Sequence, residues 1–336
     1  MRMHQGHWAI VLAAGDGTRL APLTTDEDGR VVPKQYCTLD GGHSLLQRAL
    51  ERAQRIVPRE RICVLVACQH KSRWWQDLRS LPAQNVIIQP RNCGTANGVL
   101  LGLLHILERD PLARIVFLPA DHYVHDEALL AESVRVAAEL VTCGPDGPTL
   151  VGIEPDDVDP DLGYIVPGDP LDDGSRRVTQ FIEKPTDAIA RTLIAHGAVW
   201  NSFIFWANAS ALLALIRTRI PQIVADMTAV LLRRRPGEES THSLDELYER
   251  LPVVDFSRAV LQGAESTLRV STAPACGWTD LGTPQRVIQA LQRFRLAPAP
   301  NVSAPAVTPS AVDLSGRASS EINLGLRCRE RLLITG

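Results

Sequence analysis

The chain is expected to fold in the α/β class, around a mostly parallel sheet with helices on its faces. Three observations carry this. Short apolar runs alternate with helical patterns through the first 150 residues. The helical stretches space their apolar residues three and four apart. Each of three apolar runs ends in a residue suited to chemistry, Gly15, Gln89 or Asp121, and in open α/β sheets ligands sit beyond the carboxyl ends of the strands.

In order, strands are expected at 7–13, 61–67, 84–88 and 114–119, with helices at 44–56, 70–79, 94–108 and 126–141. Such units connect right-handedly. The second half is less regular. Its strands are expected at 149–154, 163–166, 177–183, 199–206 and 268–272, its helices at 186–196, 208–217, 221–234, 243–250 and 283–293. Ser243 with Glu246 reads as a capping box for the fourth of these helices. No Pro/Gly/Ser-rich linker separates the halves, so this half extends the same sheet and adds a substrate-binding subdomain. From 296 onward an Ala/Pro-rich linker leads to a short tail, INLGLRCRERLLITG, that suits a short strand or helix.

Composition narrows the function. A chain of 336 residues that is 45% hydrophobic and 22% charged fits a soluble globular protein with a sizeable core. A net charge of −3 gives no basic surface for nucleic acid. No apolar run is long enough for a membrane span, and no signal region precedes the first strand. Seven scattered cysteines without C-x-x-C argue against a disulfide framework or a zinc site, and for a reducing cytoplasm. Of 35 basic residues only Lys34, Lys71 and Lys184 are lysine. A compact ammonium kept in an arginine-rich chain singles out those positions, because the two cations are not interchangeable at a crowded phosphate site.

The stretch LAAGDGTRL, residues 12–20, follows the first strand. As a dinucleotide fingerprint it lacks the third glycine, where Leu20 stands, and the distant acidic residue. No Gly-Lys-Ser/Thr follows to make a Walker A loop. A plain strand-to-helix turn accounts for Gly15-x-Gly17 alone. Arg19 and Lys34 change the reading: a glycine turn offers backbone N–H groups to an anion, and two cations add the charge to neutralise a triphosphate. In LPADHYVHD, Asp121 ends a strongly apolar strand, where a carboxylate holds a hard divalent cation. A transition-metal cluster with His122, His125 and Asp126, or a helix cap at Asp121, stays open. Asp280, in CGWTDLGTP, reads alone as a cap or turn residue and with Asp121 as half of a magnesium site. Lys184, in QFIEKP, suits either a second phosphate or an exposed loop. Asn201, in VWNSFIFW, needs a partner, either a sugar hydroxyl or a neighbouring backbone group. Gln89, Arg91, Asn92 and Thr95, around Gly94, offer donors and acceptors to a base edge or are ordinary loop polarity.

In order, LAAGDGTRLAPL, PKQY, QPRNCGTA, PADH, GYI, FIEKP, WNSFIF and GWTDLGT resemble the sugar-phosphate nucleotidyltransferases, and within them the mannose-1-phosphate guanylyltransferase (GDP-mannose pyrophosphorylase) branch. The resemblance spans roughly 8–290. It implies a Rossmann-like nucleotidyltransferase fold, a mixed, mostly parallel sheet with a sugar-binding subdomain. The nucleotidyltransferase domain would be 7–295, with a nucleotide-binding half at 7–150 and a sugar-phosphate-binding half at 151–295, followed by the linker and tail at 296–336. It implies that Ala14, Gly15, Asp16, Gly17 and Thr18 wrap the phosphates of GTP, and that Gln89, Arg91, Asn92 and Thr95 bind the base. It gives Arg19, Lys34 and Lys184 catalytic roles, Lys184 by holding the attacking phosphate. It assigns the sugar phosphate to Gly163, Glu183, Lys184 and Asn201, and Mg²⁺ to Asp121 and Asp280. The implied partners are GTP and mannose 1-phosphate in a cytoplasmic enzyme, with a homo-oligomer compatible. Another NTP and sugar 1-phosphate pair is the nearest alternative. A catalytically silent, nucleotide-sugar-sensing subunit is expected to lack a magnesium carboxylate or the phosphate lysine, and both are present. The chain departs from the branch at Ala14, Phe203, Ser257 and Gln262, where glycine, glycine and two acidic residues are usual. Phe203 is expected to narrow the sugar pocket. The segment Thr24–Val32 is longer than usual and is expected to form a mobile flap.

Overall fold

The computed structural model describes residues 6–26, 29–143, 147–232, 241–293 and 327–328. The first apolar run forms β1 (His7–Ala13). After the glycine turn come β2 (Cys37–Thr38) and α1 (Leu45–Gln54). The expected alternation follows as β3 (Ile62–Ala67), α2 (Lys71–Leu78), β4 (Val86–Gln89), α3 (Thr95–Arg109), β5 (Arg114–Pro119) and α4 (Glu127–Cys143). β1 pairs in parallel with both β3 and β5, and β3 with β4. The chain therefore moves outward from β1 on one side, then returns to its other side. That reversal opens a crevice at the carboxyl ends of β1 and β5.

The second half supplies β6 (Thr149–Ile153), β7 (Gly163–Pro170), β8 (Arg176–Glu183), α5 (Asp187–Ala195), β9 (Val199–Asn208), α6 (Ala209–Arg219), α7 (Pro221–Leu232), α8 (Thr241–Arg250), β10 (Arg269–Ala273) and α9 (Pro284–Arg293). One nine-stranded sheet runs through both halves, in the order β4-β3-β1-β5-β9-β6-β10-β8-β7. β9 lies antiparallel between β5 and β6, which makes the sheet mixed. The expected 150/151 division falls inside β6. From the tail, β11 (Arg327–Cys328) pairs antiparallel with β2.

Strand periodicity divides the core into two layers. Ala9, Val11 and Ala13 of β1 face Leu46 and Ala49 of α1, Val134 of α4 and Val287 of α9. Trp8 and Ile10 face Leu103 of α3, Leu212 of α6, Met227 of α7 and Leu247 of α8. Both faces are thus covered, as a parallel centre requires.

Two local expectations are corrected. α8 begins at Thr241, so Ser243 sits within its first turn and is not the cap. A capping box forms instead at Ser44, whose hydroxyl accepts from the Gln47 amide while the Gln47 side chain accepts from the Ser44 amide. The described part of Thr24–Val32 is a pinned hairpin rather than a free flap: Thr25 bridges Val31, and the Asp26 carboxylate meets Arg73 at 2.6 Å.

One buried ion pair ties the first crossover helix to the helix after β5. The Arg52 guanidinium, on α1 and fully buried, donates twice to the Glu127 carboxylate, at 2.8 and 2.7 Å. Removing one partner of such a pair strands the other charge. Glu127→Ala is expected to lower unfolding free energy by about 3 kcal/mol in urea titration, whereas Glu132→Ala, in an exposed pair on the same helix, is expected to change it by less than about 1 kcal/mol.

Candidate active site

At the crevice lies a cavity of about 410 Å³. The glycine turn forms its floor. Gly17 has φ of 63°, and a Cβ there would lie 2.8 Å from the Lys34 backbone nitrogen, so both conformation and packing require glycine. Gln35 holds the turn by donating to the carbonyls of Ala13 and Gly15, at 3.0 and 2.8 Å, and the Tyr36 hydroxyl donates to Ala13 at 3.2 Å. Asp16 fastens the turn to its neighbours, accepting from Gln69 at 3.2 Å and Asn92 at 3.1 Å. Arg19 is exposed at the cavity wall.

The charged centre is built from three distant segments. The Lys34 ammonium, on a residue only 5% exposed, reaches Asp121 Oδ2 at 2.8 Å and the Asp280 carbonyl at 2.5 Å. Burial works against ionising Asp121, but Lys34 and the neighbouring His122 outweigh it and hold the carboxyl at about 2. Burial also opposes ionising Asp280, and Arg286 and Lys34 overcome it, so that carboxyl lies below its usual range. Arg286 binds Asp280 and also Asp159, at 2.5 Å. It thereby joins the Asp280 loop to the loop that leads into Gly163. His122 is pushed down to about 4, chiefly by burial, and its Nδ1 accepts from Trp278 at 3.3 Å. At neutral pH it is an uncharged, packed ring.

The alternatives left by the sequence resolve locally. Asp126, not Asp121, caps α4, accepting from the Leu129 amide at 2.9 Å. Among the described residues no three His, Cys, Asp or Glu side chains gather as a metal cage. Asp280 makes the turn, accepting from the Gly282 amide at 2.8 Å, and also lines the cavity.

At one end of the cavity Gln89, 1% exposed, keeps a buried Oε1 without a partner among the described residues. Asn92 and Thr95 line this end, and the Thr95 hydroxyl accepts from the Phe256 amide at 2.8 Å. Arg91 is turned away from the cavity: its guanidinium donates to the carbonyls of Tyr248 and Glu249, at 3.0 and 2.9 Å. Thr18 is exposed outside the lining.

At the other end Gly163, Glu183, Lys184 and Asn201 come together. A Cβ on Gly163 would lie 2.5 Å from Glu183 Oε2 and 3.3 Å from Asn201 Cβ. The Asn201 amide has internal partners, Oδ1 accepting from the Phe203 amide at 3.1 Å and Nδ2 donating to Ser257 at 3.3 Å. Lys184 is exposed in a left-handed conformation, φ 52°. The buried Glu183 Oε2 has no partner among the described residues, and burial, with Asp255 nearby, raises its carboxyl to about 7. Sequence reasoning missed Gln35, Asp255 and Arg286, and read Ser257 only as a departure from the branch. Gln35 carried a signal as the residue after Lys34 in PKQY; Asp255 and Arg286 depend on contacts far apart in the chain.

A nucleotidyl transferase family model matches residues 8–295. A mannose-1-phosphate guanylyltransferase of Salmonella muenchen is 28% identical over 284 residues, covering 82% of this chain and 57% of that protein. The xanthan biosynthesis protein XanB of Xanthomonas campestris pv. campestris is 29% identical over 280 residues, again covering 82% and 57%. The chain thus spans little more than half the length of these relatives. A crystal structure of a mannose-1-phosphate geranyltransferase from Thermus thermophilus superposes with a TM-score of 0.74 at 28% identity, covering 87% of this chain and 79% of that one. No helix among the described residues is long and apolar enough to cross a membrane.

Glu183 has a measurable signature. Its carboxyl keeps its proton in the fold up to about pH 7, whereas in the unfolded chain it loses it at the ordinary glutamate value. The folded state therefore binds the extra proton, and stability falls as pH rises from about 4.5 towards 7. Glu183→Gln removes this term. Its melting temperature relative to the parent is expected to climb across that window and level off above it. A pH-independent difference in differential scanning fluorimetry contradicts the assignment.

Proposed function

From the premise that the chain belongs to the nucleotidyl transferase family, we propose that it transfers the nucleotidyl group of GTP to mannose 1-phosphate, giving GDP-mannose and pyrophosphate. The observation that carries the transfer chemistry is the buried Lys34 ammonium joining the segments of Asp121 and Asp280, which line one cavity whose two ends offer different chemistry. The Gln89 end offers a buried acceptor without a partner among the described residues, suited to the N–H groups of a base. The Glu183 end offers a carboxyl and an amide, suited to sugar hydroxyls. The names of the Salmonella relative and the Thermus neighbour support mannose 1-phosphate as acceptor, and the former supports a guanylyl donor.

A phosphate oxygen of the sugar 1-phosphate is already a nucleophile, so no protein base is required. It attacks the α-phosphorus in line as pyrophosphate departs. The obstacles are repulsion between two anions and growing charge on the leaving group, which positioning and fixed cations offset. The glycine turn carries the triphosphate on backbone N–H groups, Arg19 and Lys34 face the departing pyrophosphate, and Lys184 holds the attacking phosphate. The donor set fits Mg²⁺: two ionised carboxylates of hard oxygen, close enough to share the Lys34 ammonium between their segments. Asp121 and Asp280 would hold the ion, which when bound neutralises triphosphate charge.

Incubation with GTP, mannose 1-phosphate and Mg²⁺ is expected to release pyrophosphate. Release from a different NTP and sugar 1-phosphate pair, with none from this one, overturns the substrate assignment. Asp121→Ala and Asp280→Ala are each expected to raise the barrier by about 3–4 kcal/mol while the variants stay folded by circular dichroism. Near-normal turnover of either removes its carboxylate from the metal site.

A further inference from the structure

One wall residue of the cavity stands in a backbone conformation unfavourable to its own side chain. Phe203 has φ of 56°, a left-handed geometry that a bulky L-residue adopts only where its surroundings impose it. The imposition is visible in the register of β9. Asn201 pairs with Gly152 and Phe205 with Leu150, so Ser202, Phe203 and Ile204 stand opposite Val151 alone. Bulges of this kind re-aim a side chain beside active sites.

This bulge is locked from both sides. The Ser202 hydroxyl donates to the Val151 carbonyl at 2.5 Å and accepts from the Ile204 amide at 3.1 Å. The Asn201 carboxamide accepts from the Phe203 amide at 3.1 Å and donates to Ser257 at 3.3 Å. The Phe203 ring meets Phe205 and Phe256 edge-on, with centroids 6.0 and 5.8 Å away, and still lines the cavity beside Asn201 and Ser257. The ring is thus a fixed wall at the end that holds Gly163 and Glu183.

We propose that Phe203 determines sugar specificity: its ring admits hexose 1-phosphates that carry only hydroxyls and shuts out those with an N-acyl amino substituent. The inference rests on the sugar-phosphate reading of that end. An acetamido group puts several heavy atoms where a hydroxyl has one. A close-packed wall held on both sides has no room to yield to them.

The test compares the full-length parent with Phe203→Gly and Phe203→Leu. Glycine adopts the left-handed geometry freely, so the bulge survives, and melting temperature checks folding. The ratio of kcat/KM for N-acetylglucosamine 1-phosphate to that for mannose 1-phosphate is expected to rise at least about tenfold in the glycine variant. The leucine variant is expected to fall between, with KM for GTP unchanged in both. A folded glycine variant with the parent's ratio overturns the proposal. Failure of the parent to turn over any nucleotide with any sugar 1-phosphate instead contradicts the proposed function. The Phe203 claim is then decided by calorimetric binding of the same two sugar phosphates: a raised affinity ratio in the glycine variant supports it, an unchanged one overturns it.

Discussion

A buried ammonium between two aspartate segments is the contact on which the rest of the site depends. Lys34 comes from the glycine-turn region, Asp121 from the end of β5 and Asp280 from the loop after β10. Two carboxylates at one cavity repel each other and resist burial. The lysine resolves that conflict at Asp121, and Arg286 with the lysine resolves it at Asp280; this explains why an arginine-rich chain retains a lysine here. A planar guanidinium needs room for its fork, whereas a compact ammonium fits against one carboxylate oxygen and one carbonyl. Gly17 is tied to the same contact, since a side chain there would strike the Lys34 backbone. The glycine turn and the lysine are one device.

From that centre, charge and hydrogen bonding spread outward. Arg286 couples Asp280 to the Asp159 loop and so to Gly163. Asp16 couples the glycine turn to Asn92, and Asn201 couples β9 to the Ser257 segment. The two ends of the cavity are therefore braced against the same charged middle. A site that must bring two anions together needs this kind of preorganisation, because every flexible cation would have to be ordered during reaction.

Much of this was legible in the sequence. The βαβ alternation read directly from apolar runs and helical spacing, because both periods are local. The glycine turn, Asp121 and Asp280 were legible as residues at ends of strands or turns, Lys34 as one of only three lysines, and Glu183 only through the family resemblance. The position of β9 beside β5 was not, since strand neighbours far apart in sequence leave no local trace. Arg91 misled: an arginine in a loop of polar residues looks like a ligand contact, yet its guanidinium serves two carbonyls near the end of α8. The left-handed backbone of Phe203 was equally hidden, because an aromatic residue in a β-rich run signals an ordinary strand. The roles of Arg286 and Ser257 depend on contacts that only the folded chain creates.

The central claim is that this cavity joins two phosphates in a single in-line step, with no protein group attacking the nucleotide. The stereochemistry at the α-phosphorus tests it most directly. A donor nucleotide made chiral by one α-phosphorothioate sulfur is turned over with the sugar 1-phosphate, and the configuration of the nucleotide-sugar product is read by phosphorus NMR. A single displacement predicts inversion. Retention signals two displacements through a nucleotidylated protein side chain and contradicts the account.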